Sequence, residues 1–239
     1  MSILFCWRST PLPYFFLLFA IALLFSAPAR AQTAPATSPA NRFEKDVAKY
    51  EADDKAAPPP KNAILLAGDS QFFRWSTVHD DLKGYTVINR GIDSLQMSDL
   101  LHFTDRLVIP YKARLIVLHI AGNDVHTKRP PADILADYKS FVAKVRAAQP
   151  EVPIIFSSLT PGPARWDEAP QRVETNKLIQ SWCATQKNMT FLDLWNPMLA
   201  PDGKPRDDIW VADRIHPNHE GYLIRTRLML PLLGSPDQH

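Results

Sequence analysis

The chain has 239 residues, of which 46% are apolar and 22% are charged, and this balance excludes a disordered polymer. Its 27 basic and 25 acidic residues give a net charge of +2, and two of the basic residues, Arg8 and Arg30, lie in the first 31 positions, which contain no acid. The remainder is therefore neutral overall, which argues against nucleic acid or an anionic membrane surface as a partner.

The N-terminal segment has the pattern of a secretion signal. Residues 14–25 form an apolar run of 12, shorter than the about 20 residues that a membrane-spanning helix needs. Arg8 precedes this run, and Ala-Arg-Ala at residues 29–31 fits a cleavage site. We therefore predict a signal peptide over residues 1–31, with export to the periplasm or the cell exterior and no stable membrane insertion after cleavage. An uncleaved anchor is the alternative.

The rest of the chain is predicted to form a spacer and one domain. Residues 32–41 are mainly Ala, Pro, Thr and Ser, which is typical of a flexible spacer. The domain then covers residues 42–239. Phe43, Val47 and Tyr50 at its start have helical spacing, and the prolines that begin at residue 58 would end such a helix.

Five short apolar runs alternate with helical or loop stretches across this domain. Unbroken runs of this kind are typical of strands that are buried on both faces of a parallel sheet. The predicted strands are residues 63–67, 85–89, 115–120, 152–157 and 190–194, and the predicted later helices are residues 99–106, 132–148, 171–186 and 220–230. This alternation predicts an α/β fold, a three-layer α/β/α sandwich around a five-stranded parallel sheet, with a site at the carboxyl ends of its strands.

Polar residues follow three of these strands and recur near the C-terminus. Ser70 follows the first strand, Gly91 the second and Asn123 the third. His216 can take the proton of the Ser70 hydroxyl, and Asp213, three residues earlier, can hold the imidazole in place. The amides of Ser70 and Gly91 and the side chain of Asn123 are candidate donors to the oxyanion of acyl transfer. The pattern predicts a serine hydrolase that uses no cofactor and no metal.

These residues resemble, in order and spacing, the four blocks of the SGNH hydrolases, also called GDSL-like lipases and acylhydrolases. Ser70, Gly91, Asn123 and His216 match the Ser, Gly, Asn and His of the family name, and Asp213 completes its DxxH motif. The stretch INRGIDSLQMSDLL is similar to the second block of the platelet-activating-factor acetylhydrolase-like branch. The resemblance implies a flavodoxin-like sheet and metal-independent cleavage of esters, often acetyl or longer acyl groups on lipids or sugars.

Two blocks depart from the family's pattern. The first block is GDSQ rather than GDSL, so that Gln71 follows the candidate nucleophile. The chemistry does not require a leucine there, but the local packing is expected to differ. In the second block, Asp93 and Ser94 replace glycines that the family often has. Larger residues at these positions are expected to narrow the space beside the oxyanion hole.

Residues and resemblance together predict an exported serine esterase that forms an acyl-enzyme on Ser70. The expected substrates are acetyl or short acyl esters of sugars, lipids or small alcohols. An acyltransferase on a cell-envelope polysaccharide and a non-catalytic binding protein with the same fold are the alternatives. Asp213, His216 and His219 also have a spacing that could ligate zinc, although the serine mechanism needs no metal.

Other polar and aromatic residues in the predicted loops have less specific roles. Asp69, Asp124 and Asp193 are predicted to cap or brace loops rather than to react. Arg165 and Trp166 follow the fourth predicted strand and could line a substrate pocket, with buried packing as the alternative for the tryptophan.

Overall fold

A computed structural model describes residues 42–237, and a parallel sheet of five strands forms its centre. The strand order is β2-β1-β3-β4-β5. The predicted signal peptide, residues 1–31, and the predicted spacer, residues 32–41, lie outside the described residues. The strands are β1 (Ile64–Gly68), β2 (Val87–Gly91), β3 (Leu115–His119), β4 (Ile154–Ser157) and β5 (Met189–Leu192).

The strands form where the sequence has unbroken apolar runs, because both faces of the sheet are covered. Every residue of β1 and β3 is buried, as expected for inner strands of a parallel sheet. Alternate residues of β1 enter different cores: Leu65 and Ala67 join one apolar cluster, whereas Ile64 and Leu66 join the other. The predicted five-stranded α/β/α sandwich is thereby confirmed.

Helices cover the two faces of the sheet. They are α1 (Glu44–Ala56), α2 (Ser70–Phe73), α3 (Val78–Asp81), α4 (Met97–His102), α5 (Thr104–Leu107), α6 (Gly122–His126), α7 (Pro131–Ala148), α8 (Ala169–Cys183) and α9 (His219–Met229). The first core packs against α1, α4, α5, α7 and α8, and the second against α2, α3 and α9. None of these described helices has both the length and the apolar character that crossing a bilayer requires.

One predicted helix, residues 99–106, is divided into two short helices. Helix α4 ends at His102 and α5 begins at Thr104, with Phe103 between them. The Thr104 hydroxyl donates to the carbonyls of Leu100 and Leu101, at 2.8 and 3.0 Å. A side chain that bonds these carbonyls competes with the backbone ladder and favours a break in the helix.

Candidate active site

Ser70 lies at the carboxyl end of β1, on a turn held tightly against β3. A Cβ atom on Gly68 would lie 1.9 Å from the carbonyl oxygen of His119, so only glycine allows the two strands to approach this closely. The amide of Asp69 donates to the same His119 carbonyl at 3.0 Å. The Asp69 carboxylate then accepts from the Gln71 amide at 3.0 Å and caps α2. Ser70 is therefore the first residue of α2. The start of this helix is held by the contact of Gly68 and Asp69 with His119 and by the Asp69 cap.

The structure brings Ser70, His216 and Asp213 together. The Ser70 hydroxyl lies 2.8 Å from Nε2 of His216, and Nδ1 of His216 lies 2.7 Å from Oδ2 of Asp213. Because a carboxylate can only accept, Nδ1 carries the proton and Nε2 is free to accept from the serine hydroxyl. The three side chains thus form a continuous chain of hydrogen bonds from carboxylate to hydroxyl.

Asp213 is held by the turn that also carries His216. Its Oδ1 atom accepts from the amides of Ile215 and His216, at 2.9 and 3.0 Å. Burial raises the pKa of Asp213, but the hydrogen bonds from the His216 amide, the His216 ring and the Ile215 amide outweigh it and bring the pKa to about 2. Arg74 lies nearby, with Nη1 3.5 Å from Oδ2 of Asp213. Asp213 is therefore ionised at neutral pH.

Asn123 lies at the start of α6, directly after β3, and lines the same cleft as Ser70 and His216. Its Nδ2 atom donates to the Leu95 carbonyl at 3.1 Å. A side-chain amide nitrogen carries two hydrogens, so one remains for a ligand. The bond to Leu95 also fixes the direction in which this remaining hydrogen points.

Gly91 is placed differently from the sequence-based expectation. Its amide donates to Oδ1 of Asn89 at 2.9 Å, and the residue does not line the cleft. A Cβ atom at Gly91 would lie 2.3 Å from the amide nitrogen of Phe73. Gly91 therefore serves the close approach of β2 to α2, and its amide is engaged with the Asn89 side chain rather than directed into the cleft, which does not favour its predicted role as an oxyanion donor.

Ser94, three residues further on, lines the cleft in place of Gly91. Its backbone is left-handed, with φ 63°, a conformation that favours glycine. Within residues 42–237, the backbone amide of Ser94 has no hydrogen-bond acceptor. The sequence did indicate an unusual backbone at Ser94. The SGNH hydrolases often have glycine at this position, and a recurrent glycine can mark a left-handed turn.

The predicted bracing carboxylates do brace loops. Asp124 accepts from the Met97 amide at 2.9 Å, and Asp193 accepts from the Trp195 amide at 2.8 Å.

Burial raises the pKa of Asp69 to about 7, although the Gln71 amide and two arginines act in the opposite direction. Asp69 is therefore a carboxyl group that can hold its proton near neutral pH.

The zinc alternative has no support in the described part of the chain. Nδ1 of His219 lies 3.5 Å from the Thr77 hydroxyl and 3.9 Å from Asp81, apart from the Asp213–His216 pair. Among residues 42–237, no group of three or more His, Cys, Asp or Glu side chains could hold a metal ion.

The cleft beside Ser70 is small and polar. Its volume is about 160 Å³, and many of its lining residues carry charge, Arg165 among them. Trp166 lines a separate cavity of about 420 Å³ and stacks on Trp195 with ring centroids 5.9 Å apart. The two candidate pocket residues therefore belong to different cavities. The charged residues of the cleft are Asp69, Arg74, Asp93, Arg165 and Arg172.

Comparison with known proteins identifies the family. The sequence profile of the GDSL-like Lipase/Acylhydrolase family matches residues 59–224, which is more than half of the chain. The chain therefore belongs to the GDSL-like lipase/acylhydrolase family, as its motifs predicted, and it is an ester-bond hydrolase. No curated protein is similar enough in sequence to count as a match.

Solved structures share the fold at low sequence identity. A Streptococcus pneumonia protein, provisionally described as a platelet activating factor, has a TM-score of 0.72 and 20% identity and covers 80% of this chain and 92% of its own. A GDSL-like lipase from Bacteroides thetaiotaomicron has a TM-score of 0.69 and 21% identity over 78% of this chain and 96% of its own. A carbohydrate esterase of family 3 from Talaromyces cellulolyticus has a TM-score of 0.55 and 20% identity over 72% of this chain and 95% of its own.

Proposed function

We propose that this chain is an exported serine esterase that hydrolyses carboxylic esters through an acyl-enzyme on Ser70. The observation that carries the proposal is the 2.8 Å contact between the Ser70 hydroxyl and Nε2 of His216. A serine hydroxyl becomes nucleophilic when a base accepts its proton in this geometry. Asp213, at 2.7 Å from the other ring nitrogen, stabilises the imidazolium that forms.

The reaction proceeds in two halves. Oγ of Ser70 attacks the ester carbonyl while His216 takes the hydroxyl proton, and a tetrahedral oxyanion forms. The oxyanion collapses, the bond to the alcohol breaks, and His216 gives its proton to the leaving oxygen. A water molecule, deprotonated by the same His216, then attacks the acyl-enzyme. The acid leaves, and the proton returns to Ser70.

Three donors are proposed for the oxyanion. The amide of Ser70 is the first of α2 and has no partner within the helix. The amide of Ser94 replaces that of Gly91 in this role, because Ser94 lines the cleft and its amide has no acceptor among the described residues. The remaining Nδ2 hydrogen of Asn123 completes the set. Such preorganised donors stabilise charge that develops only in the transition state.

The cleft supports a short acyl group and a polar alcohol. A volume of about 160 Å³ has little room for a long acyl chain, and a charged lining favours hydroxylated over apolar partners. We therefore propose acetyl or short acyl esters of sugars or small alcohols as substrates. The signal pattern of residues 1–31 supports export, and N-terminal sequencing of the exported protein should then begin at Gln32.

The mechanism is tested with a matched pair of serine variants. Ser70→Ala should lower kcat/KM for 4-nitrophenyl acetate by at least about a thousandfold and abolish labelling by a fluorophosphonate probe. Ser76→Ala, which alters an exposed serine outside the cleft, should leave both unchanged. Equal rates for wild type and Ser70→Ala, or labelling of Ser70→Ala, would refute the proposal.

A further inference from the structure

Two guanidinium groups share one buried carboxylate at the wall of the cleft. Arg172 donates to Oε2 of Glu168 from Nε and Nη2, at 3.1 and 2.7 Å. Nη1 of Arg165 lies 3.4 Å from the other carboxylate oxygen. The side chain of Glu168 is 2% exposed and that of Arg172 is 8% exposed. Nδ1 of His126 also contacts Glu168, at 2.7 Å, and adds no negative charge. This cluster therefore carries more positive than negative charge.

One nitrogen of Arg172 is unused by the protein. Its Nη2 also reaches the Gly122 carbonyl at 3.4 Å, but Nη1 has no hydrogen-bond acceptor among the described residues. A Cβ atom at Gly122 would lie 3.6 Å from this Nη1 and 3.7 Å from Oδ2 of Asp69. Glycine at position 122 therefore leaves space beside a donor that lines the cleft of Ser70.

The other charged groups near the cleft do not cancel the excess positive charge of the cluster formed by Glu168, Arg172 and Arg165. Asp69 is buried and interacts with the fully buried Arg225 as well as with Arg172, so Arg225 matches this acid and the cluster keeps its excess positive charge. Arg74 is engaged with two carboxylates, those of Asp93 at 3.2 Å and Asp213 at 3.5 Å. The unpaired donor of Arg172 is thus an open position for negative charge in the described cleft.

We propose that Arg172, assisted by Arg165, binds an anionic group, such as a carboxylate, that the ester substrate carries close to its scissile bond. This inference rests on the proposed function and adds a substrate class to it. A guanidinium is permanently charged, and its hydrogen bonds to an anion are about twice as strong as neutral ones. A substrate anion in the cleft would meet a charged donor that no acceptor among the described residues occupies.

The inference is tested with two pairs of esters, each an acid and its methyl ester. In the first pair, acetylsalicylate carries a negative charge on the alcohol part of the ester, and methyl acetylsalicylate is neutral. In the second pair, the 4-nitrophenyl monoester of succinic acid carries the charge on the acyl part, and its methyl ester is neutral. Each kcat/KM is divided by the second-order rate constant of the same ester with hydroxide, because the free carboxylate of each acid also accelerates its spontaneous hydrolysis from within the molecule. The wild type should prefer the anion by at least about tenfold in one pair, and that pair identifies which part carries the charge.

Three variants connect this preference to the site. Arg172→Gln should reduce the anion preference about tenfold, and Glu168 keeps Arg165 as a partner. Gly122→Ala should reduce it as well, because the added methyl group fills the space beside Nη1 while every ion pair remains. Arg227→Gln removes an exposed positive charge outside the cleft and should leave the preference unchanged.

Two results would overturn the inference. One is a wild type that prefers the neutral ester, or neither ester, in both pairs. The other is an anion preference that stays the same in Arg172→Gln and Gly122→Ala, and Gly122→Ala alone decides this if Arg172→Gln does not fold. A wild type that hydrolyses none of the four esters and is not labelled at Ser70 would contradict the proposed function instead.

Discussion

The guanidinium of Arg225 donates a 2.5 Å hydrogen bond to Oε1 of Gln71, which follows the candidate nucleophile directly. Arg225 is fully buried, and the rings of Phe72, Trp75 and Tyr222 lie within 5.8 Å of its central carbon. Its Nε and Nη1 atoms have no hydrogen-bond partner within residues 42–237, and burial lowers its pKa to about 10. The glutamine that replaces the leucine of GDSL is thus the hydrogen-bond acceptor for a buried cation.

Restoring the family's leucine should destabilise this protein. Gln71→Leu leaves the charge of Arg225 buried without an acceptor, and removing one partner of a buried charge costs about 3–5 kcal/mol. Urea unfolding monitored by circular dichroism measures the loss. Arg225→Met in the Gln71→Leu background removes the unpaired charge and should recover most of the stability. Wild-type stability in Gln71→Leu alone would contradict this role of the glutamine.

The two possible roles of Gly91, close packing and oxyanion donation, predict different effects of the substitution Gly91→Ala. If Gly91 serves close packing, Gly91→Ala should lower the free energy of unfolding by more than about 3 kcal/mol, because its Cβ would overlap the backbone of Phe73. Gly203→Ala is the control: nothing lies within 4 Å of its Cβ, and its left-handed φ of 78° should cost only about 1–2 kcal/mol. A stable Gly91→Ala that loses only kcat would restore the oxyanion role.

Asp69 should make the stability of the protein depend on pH. Its pKa is about 7 in the folded chain, mainly through burial, against an ordinary value of 3.8. Between these values the unfolded chain loses the proton first, so rising pH favours unfolding. Wild type should therefore lose up to about 4 kcal/mol relative to Asp69→Asn as the pH rises from 4 to 7, and little more above 7. Asparagine can still accept from the Gln71 amide.

Urea midpoints of both proteins at pH 4, 5, 6, 7 and 8 measure this dependence. The difference between wild type and Asp69→Asn is the informative quantity, because other titrating groups are common to both proteins. A difference that stays constant over the whole range would show that Asp69 is already ionised at pH 4.

Asn123 should matter for turnover more than for binding. Asn123→Ala is expected to lower kcat by about 10²–10³-fold while KM changes little, because an oxyanion donor acts on charge that forms in the transition state. Since Nδ2 also donates to the Leu95 carbonyl, urea unfolding of the variant is measured in parallel. An unchanged kcat in a stably folded variant would exclude Asn123 from the oxyanion site.

The order of strands and helices could be predicted from the sequence, because strands that are buried on both faces of a sheet require unbroken apolar runs. The meeting of Ser70 with His216 followed from motif chemistry, since a base and a nucleophile are useful only in contact. The proposal of Ser94 rather than Gly91 as an oxyanion donor depends on local geometry. The side chain of Asn89 competes for the Gly91 amide, and Ser94 is left-handed, and neither fact is visible in residue spacing.

The cluster around Glu168 was inaccessible for a different reason. Glu168 and Arg172 are one helical turn apart, and at that spacing an ion pair on a solvated surface is the ordinary expectation. Only the folded chain shows that the pair is buried and that Gly122, 50 residues earlier, lies against it.

The separation of Ser70 and His216 by 146 residues has a consequence for biosynthesis. A growing chain contains Ser70 long before the ribosome adds His216, the imidazole of which this serine needs. Under the proposed mechanism, a nascent or prematurely terminated polypeptide that stops before Asp213 has no means of cleaving esters. By that mechanism, catalytic competence arises only after translation has passed His216.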